Sequence, residues 1–336
     1  MASPHEQLLL WDKKELDALG AREPADAIDV SFLHKSFCVA GLPLRAPRMP
    51  MKPWTRNDEH FALTVSPQSV MLPGGRMIDI GVPFGPKARL LAVWMATEVK
   101  DPNRAAGDRW LEIGKVTSWL RSIGIAPVTG RNGNLNAVKE QLVRLSFSHF
   151  TMIMKGPTVG APPESDSHTL FKSDKLIDGG VFRDEDLQLY ADGAHGQMAW
   201  PKGLLLTSKA YDRFSHHAIP VPTARLAMIA HSAMALDIFM FLCYRLPLLS
   251  PQEDELVTWR QLIAHFGNGE APSKFKETFA TSIRSALDAY PEARVDIVNE
   301  GLRMRYSDPA DLKRAFVPGA KFPKPIPHWI EDPKMS

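Results

Sequence analysis

The stretch LVTWRQLIAHFGNGEAPSKFKETFATSIRSALDAYPEARVDIVNEGLRMRY, residues 256–306, is the part of the sequence that most clearly decides the fold. It opens with a short apolar strand and a helix over residues 259–266, which a Gly-Asn-Gly turn ends. An amphipathic helix over residues 273–289 follows, with large apolar side chains at every fourth position. Two alternating segments around Asn299-Glu300-Gly301 then predict a β-hairpin.

The first half of the chain repeats this order of elements, and in the second half an apolar helix over residues 233–245 comes before it. The elements predicted in the first half are helix 88–99, strand 109–114, helix 115–123, a glycine-containing turn, helix 134–146 and the strands after Phe150. Helix, strand, helix, turn, longer helix and β-structure is the order of a winged helix, which elaborates the helix-turn-helix. We therefore expect an α+β protein with tandem winged-helix (helix-turn-helix) domains and extended termini.

The length of 336 residues allows about two domains. Its 44% apolar and 23% charged residues are typical of a globular protein. The organisation that we expect is an extended basic arm over residues 1–57, a first winged helix over 58–190, a second over 200–310 and a proline-rich tail over 311–336.

The predicted arm is basic, because residues 30–57 contain no Asp or Glu. Its cationic residues are Lys35, Arg45, Arg48, Lys52 and Arg56, and prolines at 43, 47, 50 and 53 prevent a helix. Two interpretations remain open: a solvated linker, or an arm that lies along a phosphate backbone or in a minor groove.

A second basic cluster lies in the first predicted winged helix. Residues 113–155 carry six Lys or Arg against the single acid Glu140, a local charge of +5 in a chain whose net charge is +2. The turn GRNGN, residues 130–134, places Arg131, Asn132 and Asn134 at a helix N-terminus, where backbone N–H groups favour a phosphate. Alternatively, Asn134 only caps this helix and the basic residues form a solvated face.

The second predicted winged helix is less basic, since Glu277 and Asp288 offset part of its charge. Arg303 and Arg305 alternate on its last strand and could hold a DNA backbone as a wing. The candidate DNA-binding residues of both halves are Arg121, Arg131, Asn132, Asn134, Asn136, Lys139, Arg144, Lys274, Lys276, Thr281, Arg284, Arg303 and Arg305. Arg and Asn side chains suit bidentate contacts with base edges, and Lys side chains suit phosphates.

Catalytic and metal-binding motifs are missing from the sequence. The segment GVPFGPK, residues 81–87, lacks the GxxxxGK[ST] spacing of a phosphate loop, and neither GxSxG nor HExxH occurs. His216 and His217 have no carboxylate or Cys at metal-ligand spacing. We expect no catalytic residues, no metal, no cofactor and no enzymatic activity.

A membrane span and a secreted location are not expected either. Cys38 and Cys243 form no metal or disulfide framework, which fits a reducing cytoplasm. The N-terminus does not resemble a signal peptide. The apolar stretch 226–249 is long enough to span a membrane, but His231, Asp237 and Arg245 interrupt it, so two buried helices are expected there.

Several long segments resemble a known family. The segments GPKARLLAVWMATE (85–98), LEIGKVTSWLRSIGI (111–125), GRNGNLNAVKEQLVRL (130–145) and FKETFATSIRSALDAYPEARVDIVNEGLRMRYS (275–307) are similar to RepA-type replication initiators of broad-host-range plasmids. The resemblance covers roughly residues 60–308, and its blocks occur in the same order. The basic N-terminal arm is not a recognised feature of that family.

This resemblance implies a bacterial, cytoplasmic and plasmid-associated protein that binds double-stranded DNA repeats (iterons) at a replication origin. Such initiators help to melt an adjacent A·T-rich segment and recruit the host initiator and the replicative helicase. Many repress their own promoter, often as homodimers, and they use no cofactor. By this match, the turn and helix 131–144 and the helix 274–284 are the recognition candidates. Two other functions fit the residues: a dedicated transcriptional repressor, or a winged-helix scaffold that binds protein.

Overall fold

The computed structural model describes residues 30–34, 38, 41–57, 61–128, 133–156 and 168–312. Its strands are β1 (Val30–His34), β2 (Trp54–Asn57), β3 (Phe61–Ser66), β4 (Gln68–Met71), β5 (Met77–Ile80), β6 (Trp110–Glu112), β7 (His149–Gly156), β8 (His168–Lys175), β9 (Ile177–Gly180), β10 (Gly203–Leu206), β11 (Ala218–Pro222), β12 (Glu255–Thr258), β13 (Val295–Val298) and β14 (Gly301–Met304). Its α-helices are α1 (Gly85–Val99), α2 (Val116–Ser122), α3 (Asn134–Phe147), α4 (Asp186–Ala191), α5 (Ser208–His216), α6 (Thr223–Ile229), α7 (Ala233–Arg245), α8 (Trp259–Phe266), α9 (Pro272–Ala289) and α10 (Pro309–Leu312). The predicted α+β class is confirmed.

The second winged helix is built as the sequence predicts. Helix α7 leads to β12, α8, α9 and the hairpin β13–β14, and the sheet order is β12-β14-β13. Thr258 caps α8 in a reciprocal capping box with Gln261, which fixes where the strand ends and the helix begins. Phe275, Phe279 and Ile283 are fully buried on one face of α9 and fix that helix to the core.

The first half has the same topology, but its wing comes from different strands than the sequence suggests. The order α1, β6, α2, α3 is followed by a sheet of order β6-β10-β9, which matches β12-β14-β13 strand for strand. Strand β7, which was expected to belong to the wing, instead forms a hairpin with β8 in the separate sheet β2-β3-β7-β8. The wing strands of the first half are β9 and β10.

The segment around residue 200 therefore belongs to the first sheet. Strand β10 was expected to open the second domain, yet Leu204 and Leu205 pair with both β6 and β9. Helix α4 lies between β9 and β10. The connection to the second winged helix runs through α5, β11 and α6.

The described parts of the N-terminal arm are built into the protein, which corrects the expectation of an arm that extends throughout. Strand β1 pairs antiparallel with β11 and buries Leu33. Leu42 and Arg56 are also buried. Residues 1–29 of the arm, the residue Lys35 and the proline-rich tail beyond residue 312 lie outside the described residues.

The apolar stretch 226–249 forms two helices, as predicted. Helix α6 ends at Ile229, Ser232 caps α7, and every residue of α7 is buried. Within the described ranges, no helix combines the length and the apolar character that crossing a membrane requires.

An ion pair at the centre of the molecule joins the first helices of the two winged helices. Arg89 on α1 donates from Nε and Nη2 to the two carboxylate oxygens of Asp237 on α7, both at 2.6 Å. Their side chains are 1% and 3% exposed. Arg56 lies beside this pair, and its burial lowers its pKa to about 10 while the Asp237 carboxylate opposes that shift. The Asp237 carboxylate thus interacts favourably with two buried guanidinium groups, those of Arg89 and Arg56.

We expect Asp237→Asn to lower the free energy of unfolding by about 3–5 kcal/mol, because it leaves two buried cations without their counter-charge. Urea unfolding followed by tryptophan fluorescence measures the change. The matched control is Asp296→Asn, which removes an exposed carboxylate 2.8 Å from Arg305 and should change stability little, because solvent screens that pair. Equal losses in the two variants would contradict the central role of Asp237.

Candidate nucleic-acid interface

An exposed stripe of side chains runs along α9, opposite its buried apolar face. The residues of this stripe recur at spacings of three and four and are Lys274, Glu277, Thr281, Arg284 and Asp288. A spacing of three and four keeps side chains on one side of a helix. Because Phe275, Phe279 and Ile283 fix the opposite side, the stripe has a defined orientation on the surface. Helix α9 can therefore enter a groove without unpacking the core.

Several polar side chains in the first half of α9 make contacts that fix their positions at the surface. Lys274 Nζ lies 2.8 Å from Glu277 Oε2, and both side chains are well exposed. Lys276 Nζ lies 5.1 Å above the ring of Trp259 on α8, a cation–π contact that holds the ammonium at the α8–α9 surface. The Thr281 hydroxyl donates back to the carbonyl of Glu277 at 3.3 Å. Both predicted lysines of this helix are thus at the surface.

Trp259 also fixes the wing. Its indole Nε1–H donates to the carbonyl of Asn299 at 2.9 Å, and its backbone N–H donates to the carbonyl of Glu300 at 3.0 Å. Gly301 has φ +154°, and a Cβ there would overlap the carbonyl oxygen of Val257. The wing turn is therefore held against the start of α8 by one tryptophan and one obligatory glycine.

The two predicted wing arginines differ in their surroundings. Arg303 is exposed on β14, in register with Leu256 and Asp296 on the neighbouring strands. Arg305 pairs with Asp254 at 3.1 Å and with Asp296 at 2.8 Å, and hydrogen bonds to these carboxylates raise its pKa. Arg303 presents its charge to solvent, whereas two carboxylates offset the charge of Arg305.

The equivalent helix of the first half, α3, is covered. One face packs in the main core, while Val143 on another face packs against Ile78, Ile80, Tyr190 and Met198 from β5, α4 and the segment before β10. The buried Asp186 carboxylate fixes this cover by accepting hydrogen bonds from the Ala199 N–H and the Arg183 side chain. In this conformation α3 has no open face of the kind that α9 presents.

Two of the candidate DNA-binding residues on α3, Lys139 and Arg144, make contacts within the protein, which corrects the expectation that they are available to DNA. Lys139 is 8% exposed, its Nζ donates to the carbonyl of Met198 at 2.5 Å, and burial lowers its pKa. Arg144 lies 2.9 Å from Glu140 Oε1 and donates to the carbonyl of Val82 at 3.2 Å. Lys139 holds the cover on α3, and the Arg144 guanidinium lies 6.0 Å from the centre of the Tyr190 ring in that cover. Helical periodicity places Lys139 off the apolar face of α3 but cannot show that a distant segment packs on that second face.

The remaining candidates of the first half lie around the α2–α3 turn. Arg121 is exposed in the last turn of α2. Asn134 is exposed, and its side-chain amide donates to the carbonyl of Ala126 at 3.3 Å. The N-cap residue of α3 is Gly133, so the prediction that Asn134 caps this helix is wrong. Asn136 is half-buried beside Gly196. Arg131 and Asn132 lie outside the described residues.

Sequence reasoning missed Trp259 as a site residue. A signal was available, because an indole at the first position of a predicted helix has an N–H group that needs an acceptor when it is packed. In the described part of the chain, no group of three or more His, Cys, Asp or Glu side chains is arranged to hold a metal ion.

We expect Trp259→Phe to loosen the wing, because phenylalanine retains a ring against Phe279 but lacks the N–H that binds the Asn299 carbonyl. Amide hydrogen exchange of residues 295–304 should become faster. The control is Trp119→Phe in the first half, which removes a hydrogen bond of 3.3 Å from the indole N–H to the Ser31 hydroxyl. This control should leave the exchange rates of residues 295–304 unchanged. Unchanged exchange in Trp259→Phe would contradict the anchoring role.

Comparison with known proteins finds two solved structures and one family model. Two solved structures align with this chain at 10% sequence identity. A structure of RctB domains 2-3 gives a TM-score of 0.42 and covers 74% of this chain and 81% of that chain. A structure of a selenomethionine derivative of RctB domains 2 and 3 gives a TM-score of 0.46 and covers 82% of this chain and 98% of that chain. No curated protein matches the sequence. The model of a family described as plasmid encoded RepA protein matches residues 82–261, which is more than half of the chain. The chain therefore belongs to the RepA family of plasmid replication initiators.

Proposed function

We propose that this protein binds repeated sequences (iterons) in its plasmid's origin of replication, with α9 as the recognition helix in the major groove. The observation that carries this proposal is the exposed stripe of α9, which lies opposite a fully buried apolar face. A major groove admits a helix whose outward side chains reach base edges. Family membership supports the replication origin as the place of binding.

The side chains of this surface divide by chemistry into base readers and phosphate contacts. Arg284 and Thr281 lie in the middle of the stripe, where they suit base edges. Lys274, Lys276 and Arg303 flank them with charges that suit phosphates. The wing turn, held by Trp259, places its backbone beside the groove that α9 occupies.

In this proposal, the first winged helix contacts DNA in a different way from the second. Because α3 is covered, its contacts come from the α2–α3 turn, with Arg121, Asn134 and the adjacent Arg131 and Asn132, rather than from an inserted helix. Such contacts fix position on the backbone without reading bases. Bending of the DNA across both halves would then favour opening of a flexible A·T-rich neighbour.

The wider activities of an initiator complete the proposal. They are recruitment of the host initiator and of the replicative helicase, repression of the protein's own promoter and a dimeric form in that role. None of these steps requires the protein to make or break a covalent bond. We therefore propose a DNA-binding protein that acts without a cofactor and without catalysis.

The test is binding of the purified full chain to a labelled duplex from beside its own reading frame, against a scrambled duplex, at two salt concentrations. We expect a preference of about a thousandfold or more for the first duplex. Equal binding to both duplexes would contradict sequence-specific recognition. A plasmid-loss assay then separates an initiator from a dedicated repressor, because only an initiator is needed for the origin to fire.

Arg284→Ala should weaken binding to the preferred duplex by about 1–3 kcal/mol and leave binding to the scrambled duplex nearly unchanged, because a base contact carries sequence information. Fluorescence anisotropy titrations measure both affinities. The matched control is Arg76→Ala, an exposed arginine on the strand–turn segment before β5 that pairs with Asp192 at 2.6 Å. An equal loss on both duplexes in Arg284→Ala would identify Arg284 as a phosphate contact instead.

A further inference from the structure

We infer that residues 44–53, which we call the basic loop, form a preformed contact for the phosphate backbone of duplex DNA beside the N-terminal end of α9. This inference rests on the proposed function and adds to it a binding surface that lies outside both winged helices. It is carried by the charge of the loop, by the way its ends are fixed and by its connection to the α8–α9 turn.

The charged side chains of the basic loop are exposed to solvent. Arg45, Arg48 and Lys52 are all exposed, and residues 30–57 contain no acid. Within the described ranges, none of these three side chains lies within ion-pair distance of a carboxylate. Arg56, four residues after Lys52, is by contrast buried beside Asp237. Among the described residues, the buried cation thus has a neighbouring carboxylate, whereas the three exposed cations of the loop have no carboxylate within ion-pair distance.

The loop is held in one shape. At its start, the carbonyl of Leu42 accepts from Arg89 at 2.5 Å and that of Pro43 accepts from the Gly85 N–H at 2.9 Å. In its middle, the Lys52 N–H closes a turn onto the carbonyl of Met49 at 3.1 Å. Prolines at 47, 50 and 53 restrict φ along the loop.

Direct packing adds to these hydrogen bonds. A Cβ built on Gly81 would lie 3.2 Å from Pro50 Cβ, so the loop rests against the backbone just before α1. A shape fixed before binding loses little conformational entropy when it meets DNA. The three cations are therefore presented at lower cost than they would be on a freely moving arm.

The loop is connected to the end of the second winged helix at which α9 begins. Strand β2 follows it directly, and Arg56 on β2 donates to the carbonyls of His265 and, at 3.1 Å, of Gly267. These carbonyls belong to the end of α8 and to the turn before α9. Four residues span at most about 14 Å, so Lys52 lies within that distance of Arg56. In this inference, a duplex that α9 holds near Lys274 runs beside the basic loop, so that its phosphates can meet the cations of the loop.

The test is the salt dependence of binding by the full chain carrying Arg45→Ala, Arg48→Ala and Lys52→Ala together. The probes are the duplex from beside the reading frame and the scrambled duplex. Each phosphate contact contributes about 0.9 to the slope of log K against log salt, so loss of three contacts should reduce the slope by up to about 2.7 on both probes. The preference between the two duplexes should stay within about threefold, because phosphate contacts carry no sequence information.

The control removes three exposed lysines elsewhere, by Lys172→Ala, Lys175→Ala and Lys209→Ala. If the slope of log K against log salt fell equally in this control, the change would come from the net charge of the protein and would overturn the assignment of the loop. An unchanged slope in the loop variant would also overturn it, while the loss of preference in Arg284→Ala would leave the proposed function standing. Failure of the unmodified chain to bind either duplex would overturn the proposed function and the loop together.

Discussion

The Arg89–Asp237 pair is the interaction on which the rest of the structure depends. It joins α1 to α7, the corresponding first helices of the two winged helices, through two hydrogen bonds in an almost dry environment. Burial of two charges costs several kcal/mol per ion and is tolerated only with close geometry and additional hydrogen bonds. Arg89 meets this condition by donating also to the carbonyls of Leu42, Pro43 and Gly85.

Through these carbonyls, the same pair positions segments that are distant in sequence. It fixes the start of the basic loop, and Asp237 also faces Arg56, whose guanidinium holds the end of α8. The core helices, the N-terminal segment and the α8–α9 turn therefore share one electrostatic centre. Packing is close at Gly41, where a Cβ would meet Asp237 and Arg56, so a side chain does not fit at this position.

The two winged helices share one topology but differ in how much of their longer helix is covered. In the second, α9 is packed on one side only, so that its charged stripe faces outward. In the first, the hairpin β4–β5 and the insertion that carries α4 cover α3, and Lys139 and Arg144 serve that cover. A helix packed on both sides gains stability and loses its open face. The physical difference between the halves lies in these additions and not in the order of their elements.

The sequence by itself determined the local elements, because each follows from periodicity and turn residues: the apolar repeat of α9, the Gly-Asn-Gly turn and the final hairpin all occur where they were expected. It also indicated the family, since segments that resemble it lie within the residues 82–261 that the family model matches. Only the tertiary structure decided which strands form the first wing, because β10 pairs with β6 across more than ninety residues and no local pattern encodes that choice. It likewise decided that Lys139 is buried and Lys274 exposed, because the burial of a charge depends on a partner, here the carbonyl of Met198, that comes from a distant part of the chain.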